Sequence, residues 1–236
     1  ASLLQTTSGP ITGRLFIDSI QVGPLPGPTP YEAPHAAPPL APVKPPPPTV
    51  EPEPVIEFTQ LQIIFPGEAL APGVAGGKIG TPDPQVAGVP FTVYVYAVDN
   101  DFNIATGTTD LVQITSSDVR AVLPLPRAFL ADLGLVTFQI SLLTAGSATA
   151  TATNLTTTSM ASDVSASSTV TAGPFVQLQV LLPGEFADTT KLIGKTGTPQ
   201  LQIANTPFNV TVHSTDLHWN IVSSSHAIGI TSSDGA

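Results

Sequence analysis

Apolar residues fall at every second position in several short stretches of this chain, and at helical spacing over no comparable length. The clearest stretch is Phe91-Thr-Val-Tyr-Val-Tyr-Ala-Val98. Strict alternation puts Phe91, Val93, Val95 and Ala97 on one face of an extended strand, and Thr92, Tyr94, Tyr96 and Val98 on the other. The same reading predicts strands over residues 60–65, 111–115, 121–123, 135–143, 148–154 and 165–171. Turn signals separate them, among them Pro66-Gly67, Gly76-Gly77, Asp99–Asn103 and Ala145-Gly146. Short strands at this density, without helical periodicity, predict an all-β fold of two packed sheets.

The pattern is written twice. Phe58-Thr-Gln-Leu-Gln-Ile-Ile-Phe-Pro-Gly-Glu68 returns as Phe175-Val-Gln-Leu-Gln-Val-Leu-Leu-Pro-Gly-Glu185, and the offset of 117 residues holds without a gap to Ile104 and Ile221. Of the 47 aligned positions 21 are identical, including Lys78/Lys195, Gly80-Thr-Pro82/Gly197-Thr-Pro199, Pro90-Phe91/Pro207-Phe208, Asp99/Asp216 and Asn103/Asn220. A period this long is a repeated domain, not a short solenoid unit. The second copy spans only residues 175–236 and holds the first half of the pattern. Half a sandwich exposes a core face and open strand edges, so its remainder is expected from a longer polypeptide or from another chain.

Four segments follow: 1–23, 24–57, 58–174 and the incomplete 175–236. The first contains one expected strand over residues 12–22, with Leu15 and Ile17 on a face that needs a partner. From Pro24 to Pro54, 14 of 31 residues are proline, which enforces extended chain and removes ladder donors. At about 3.1 Å per residue it would reach about 95 Å as a stiff spacer.

The order Phe91-x-Val-x-Val-x-Ala-x-Asp99, then Asn103, then Val136-x-Phe-x-Ile-x-Leu-x-Thr144-Ala-Gly-x-Ala-x-Ala-x-Ala152, resembles the bacterial Ig-like repeats of the invasin/intimin type. The resemblance covers residues 58–174 and the first half of the second copy. It implies tandem Ig-like β-sandwich domains behind a proline-rich extended segment, used as stalk spacers, adhesin modules or filament subunits. The Gly/Pro-rich insert at 69–88 departs from the short modules of that family.

Composition narrows the function. The formal charge is −10, with 7 Lys and Arg residues in no cluster, so the basic footprint of a nucleic-acid binder is missing. Cys is absent, which removes disulfides, thiolate catalysis and zinc–cysteine sites. No apolar run approaches the 18 or so residues of a membrane span. An extracellular or cell-surface location, with a signal peptide already removed, is the expectation.

Candidate chemistry is sparse. Asp99-x-Asp101-x-Asn103, with Asp110 at the twelfth place, has calcium-loop spacing, but Ile104 occupies the position that needs Gly. The second copy offers Asp216, His218, Asn220 and Ala227 there, so an Asx-rich turn is the simpler reading. His213, His218 and His226 share no ligand spacing. Ser223-Ser-Ser-His226 lacks a nucleophile elbow, and no catalytic residue or cofactor is assigned. Asn154-Leu-Thr156 and Asn209-Val-Thr211 fit the glycosylation tripeptide. Tyr94 and Tyr96, side by side where the second copy has Thr211 and His213, are candidate interface residues, as are Leu15 and Ile17. Phe102 and Trp219, at equivalent positions, are the candidate ligand aromatics.

These features predict a non-enzymatic structural protein, self-associating or packed against neighbouring repeats. Strand exchange between subunits would complete the half-domain. The alternatives are an adhesin recognising a glycan or surface protein, and an accessory subunit of a larger complex.

Overall fold

A computed structural model describes residues 23, 24, 27 and 56–234. The expected strand at 12–22, with Leu15 and Ile17, lies outside the described residues, as does nearly all of the proline-rich segment. Both sequence copies fall in one compact unit, Pro52–Ala236. Among the described residues every regular element is a strand, and no helix is long and apolar enough to cross a membrane.

The first copy is a β-sandwich. One layer is the antiparallel sheet Gln60–Ile64, Phe91–Val98 and Leu135–Ile140, with Phe91–Val98 in the middle. Its register sets Leu61 opposite Ala97, Ile63 opposite Val95, Val95 opposite Val136, Val93 opposite Phe138, and Phe91 opposite Ile140. All of these are buried, as alternation requires of a strand with one face on a core. The facing layer combines Leu111–Ser116 with Ala150–Asn154, and Gly146–Ala148 with Ser168–Thr171. It contributes Val112, Ile114, Ala148, Ala150, Ala152 and Val170 to the same core. Small alanines there face Val, Ile and Phe across the gap, so large and small side chains interdigitate. Phe65 and Phe91 close one end edge to face, with ring centroids 5.5 Å apart.

Pattern and structure differ where strands are short. Residues 121–123 reduce to a single bridge, Val122 to Ser141. Glu68–Leu70, Lys78–Gly80, Gln85–Val86, Arg127–Ala128 and Asp163–Val164 were not predicted, nor were Glu185–Ala187 and Lys195–Gly197 in the second copy. The expected strand 148–154 begins instead as the separate strand Gly146–Ala148, followed by Ala150–Asn154. Two or three residues cannot display a period of two. Three of these occupy the insert at 69–88 or adjoin it: Glu68–Leu70 and Lys78–Gly80 form a hairpin, and Gln85–Val86 pairs in parallel with Ser168–Thr171. Val98, outward-facing by alternation, is fully buried, and Ile104 bridges to it.

Side chains close the free edge of Gln60–Ile64. The Ile63 N–H donates to Asp163 Oδ2 at 2.7 Å, and Lys78 Nζ donates to the Ile63 carbonyl at 3.3 Å. Phe65 N–H donates to Glu68 Oε2 at 3.0 Å, while Lys78 pairs with Glu68 at 3.1 Å. An edge tied in this way offers few free groups to a stray strand.

The second copy repeats half of this construction in the same register. Gln177–Leu181 pairs with Thr211–Thr215, and Glu185–Ala187 with Lys195–Gly197. Lys195 pairs with Glu185 at 2.8 Å, and Glu185 Oε2 accepts from Leu182 N–H at 3.0 Å. Among the described residues nothing forms its opposing layer. Leu61 is 3% exposed and Leu178 45%; Ile63 is 0% and Val180 45%; Phe91 is 9% and Phe208 48%.

Candidate functional site

The best-defined polar cluster lies where the second copy meets the first, and its centre is the turn Asp216-Leu-His-Trp-Asn220. Asp216 and Asn220 are both buried. Asp216 Oδ1 accepts from the His218 and Asn220 backbone N–H groups at 2.8 and 2.9 Å, the self-bonding that suits Asp to turns. Its Oδ2 accepts from Asn220 Nδ2 and from the Gly173 N–H, each at 2.8 Å. The Gly173 bond ties the connecting segment to the turn.

Asn220 then reaches across. Its Oδ1 accepts from the Ala145 N–H at 2.8 Å, and its Nδ2 donates to the Leu143 carbonyl at 2.8 Å. One amide thus meets one donor and one acceptor of a single loop, as a backbone strand would. Asp118 braces that loop from the other side, accepting from Leu143 N–H at 2.7 Å, Thr144 N–H at 2.9 Å and Thr144 Oγ1 at 2.8 Å. Arg120 completes the joint, donating from Nη1 to the His218 carbonyl at 2.7 Å and to the Thr189 carbonyl. His218 sits on Gly88, where φ is +83° and a Cβ would strike the imidazole.

Burial opposes the charge on both Asp118 and Asp216. The hydrogen bonds from Thr144, Leu143 and Arg120 to the first, and from Asn220, Gly173 and His218 to the second, outweigh it and hold both carboxyls below their usual range. Asp163 is the reverse case, since burial raises it despite the Ile63 N–H and Lys78.

The first copy carries the same turn. Asp99 Oδ1 accepts from the Asp101 and Asn103 N–H groups at 2.8 and 2.9 Å, and Asn103 Nδ2 donates to Asp99 Oδ2 at 2.9 Å. The Asn103 side-chain hydrogen bond is the main cause of the lowered Asp99 carboxyl. Here, however, Asp99 and Asn103 are only half-buried, and among the described residues nothing donates to Asn103 Oδ1.

The remaining candidates are scattered. Asp110 accepts from Asn154 Nδ2 and Thr157 Oγ1, each at 2.8 Å, and shares no partner with Asp99, Asp101 or Asn103. Among the described residues no group of three or more His, Cys, Asp or Glu could hold a metal ion. Phe102 and Trp219 both adopt positive φ, 65° and 71°, and lie on Gly77 and Gly194 of the hairpins. Trp219 Nε1 also donates to the Leu192 carbonyl at 3.0 Å. Tyr94 is 40% exposed, opposite Ile64 and Thr137; Tyr96 is half-buried, its hydroxyl pushed up by burial and by Tyr94. His213, His218 and His226 have separate surroundings: a paired strand, the joint, and a contact with Ser224 at 2.6 Å. Asn154 is buried and hydrogen-bonded, unlike a glycan acceptor.

Sequence reasoning missed Asp118, Arg120 and Asp163, and read Asp216 and Asn220 only as a turn. The recurrence of Asp99 and Asn103 as Asp216 and Asn220 was the available signal.

Neither a protein-family model nor a curated protein matches the chain. Among solved structures it is similar to the S-layer protein rSbsC(31-844), at TM-score 0.29 and 16% identity over 62% of this chain and 16% of that one. Domains 5-6 of the S-layer protein SbsC align at TM-score 0.29 and 19% identity, over 61% and 62% of the two chains. Domains 4-9 of surface layer protein SbsC align at TM-score 0.30 and 18% identity, over 68% and 21%. The aligned part is less than two thirds of each of these chains.

Proposed function

We propose that this chain is a non-enzymatic structural protein of the bacterial cell surface or extracellular space, in which tandem Ig-like sandwiches of the invasin/intimin type form a stalk or filament. The joint at Asn220 carries the reading. A flexible string of modules needs only a linker. Here, instead, a buried Asp–Asn turn of one copy is hydrogen-bonded to the braced end loop of the other and to the segment between them. Such a joint fixes the angle between modules and transmits load along the chain.

The uncovered sheet of the second copy fits the same reading. Leu178, Val180 and Phe208 form a half-core whose cover, in the first copy, is the layer built from residues 111–171. A layer of that kind, from further along the same polypeptide or exchanged from a neighbouring subunit, would close it. The adhesin reading draws less support, because Phe102 and Trp219 are packed on glycines of their own hairpins.

Electron microscopy of the native material, together with its intact mass, tests the proposal. Rods or filaments of fixed module spacing are expected. Independent globules tumbling on a flexible tether would overturn it.

A further inference from the structure

We infer that the open edge of Thr211–Thr215 in the second copy takes residues 12–22 of a neighbouring molecule of this chain as an added strand, in the place that Leu135–Ile140 holds in the first copy. The inference rests on the structural reading proposed above and names the strand and the register that link one subunit to the next.

The two sheets differ by one strand. In the first copy Phe91–Val98 lies between Gln60–Ile64 and Leu135–Ile140. In the second, among the described residues, Thr211–Thr215 pairs with Gln177–Leu181 alone. The backbone records the difference. Phe91, Thr92 and Val93 pair only with Ile140, Gln139 and Phe138, and all three are strand. Their counterparts Phe208, Asn209 and Val210 keep the Phe-x-Val alternation but are not strand. The sequence to extend the strand is therefore present, and what orders it in the first copy is the partner on that side. The Ala97 N–H donates to the Gly134 carbonyl across this pairing, so by alternation Val95 and Val93 also turn their backbone groups toward Leu135–Ile140. In the second copy the same groups of Val212 and Val210 face the open side, beside the exposed Phe208. An edge of this kind is a template for strand addition.

The pattern of residues 12–22 fits the place. Gly134-Leu-Val-Thr-Phe-Gln139 buries Val136 and Phe138 and turns Leu135, Thr137 and Gln139 away from the core. Gly13-Arg-Leu-Phe-Ile-Asp18 repeats the glycine, sets Leu15 and Ile17 at the two inner positions, and sets Arg14 and Asp18 at outer ones. In this register Leu15 lies opposite Val212 and Ile17 opposite Val210. Arg14 falls opposite His213, whose Nδ1 is buried without a hydrogen-bond partner among the described residues. A slip of one residue would turn Asp18 onto the core, so the register is specified.

The donor is a neighbouring molecule because of the spacer. Residues 24–54 hold 14 prolines and one glycine, Gly27, a composition too stiff to fold back readily, and it carries the strand away from residue 58 of its own chain. A strand of one molecule entering the second copy of the next is a head-to-tail contact, the kind from which open filaments grow.

The chain has no cysteine, so introduced cysteines report the contact. Phe16→Cys in one full-length chain and Thr211→Cys in another stand opposite each other on the outer face. Mixed and oxidised, they should give a disulfide-linked dimer, whereas Ile17→Cys with Thr211→Cys, on opposite faces, should give about tenfold less or lower still. In a full chain carrying Ile17→Asp, which disables its own strand but lies outside both sandwiches, a synthetic peptide of residues 12–22 should slow exchange of the Val210 and Val212 amides about tenfold or more. Equal linking by the two cysteine pairs overturns the register and with it the inference. With Phe16→Cys and Thr211→Cys in one chain, a disulfide that stays within single molecules overturns the neighbouring donor. Neither linking nor amide protection, with rods still seen by electron microscopy, overturns the inference and leaves the structural reading standing. Neither of these and no rods overturns both.

Discussion

Asn220→Ala should open the joint without unfolding either copy. The substitution removes three side-chain hydrogen bonds, to Asp216, Leu143 and Ala145, each at 2.8 Å. A buried hydrogen bond contributes about 1 kcal/mol net, and a donor or acceptor left unpaired costs about 1–3 kcal/mol. Water reaching the opened joint re-solvates part of this, so about 3 kcal/mol is the expected loss, or roughly 150-fold in the opening equilibrium. The Ala145 amide reads it directly, since its exchange rate reports opening of the joint. Asn103→Ala is the internal control, because its turn is the same but no described residue fills the outer edge of the amide. Acceleration at Ala145 below about fivefold in Asn220→Ala, with the core amides unchanged, would refute the claim that this side chain holds the two copies together.

Other consequences are independent. Asp118 and Asp216 have folded values below their ordinary 3.8, so the stability they contribute is complete above that value and is lost as pH falls through it toward the folded values. Small-angle scattering should therefore show the modules losing their fixed spacing on acidification below about pH 4, and spacing unchanged at lower pH would sink this. Asp163 has the opposite sign: burial raises its folded value, so its contribution falls as pH rises through that value. Ile63→Ala, at a fully buried position, should cost about 2–5 kcal/mol in denaturant unfolding, whereas Val180→Ala, its exposed counterpart, should stay within about 0.5 kcal/mol. Gly194→Ala places a methyl in the ring of Trp219 at a backbone φ of +73°, and a red shift of the single tryptophan's emission is expected. Tyr94→Ser with Tyr96→Ser should weaken assembly seen by electron microscopy if this face is an interface, and intact assembly would remove that role.

Alternation alone determined the all-β class and the inner face of the central strand. Phe91, Val93, Val95 and Ala97 are buried as a period of two requires, since successive side chains must leave opposite faces of a strand. The 117-residue repeat likewise marked which local devices recur, and Glu68 with Lys78 does the same work as Glu185 with Lys195. Those features are local: the partners lie within about a dozen residues, and their side chains carry the signal. The short strands of the insert were invisible because two residues have no period. The joint was invisible for a different reason. Asp99 and Asp216 look alike in sequence, and so do Asn103 and Asn220, yet one pair is half-buried and the other buried. What Asn220 binds is backbone, the Leu143 carbonyl and the Ala145 N–H, and every residue type offers those groups. Only the tertiary fold, by bringing that loop to that turn, decides which of two identical motifs becomes a joint.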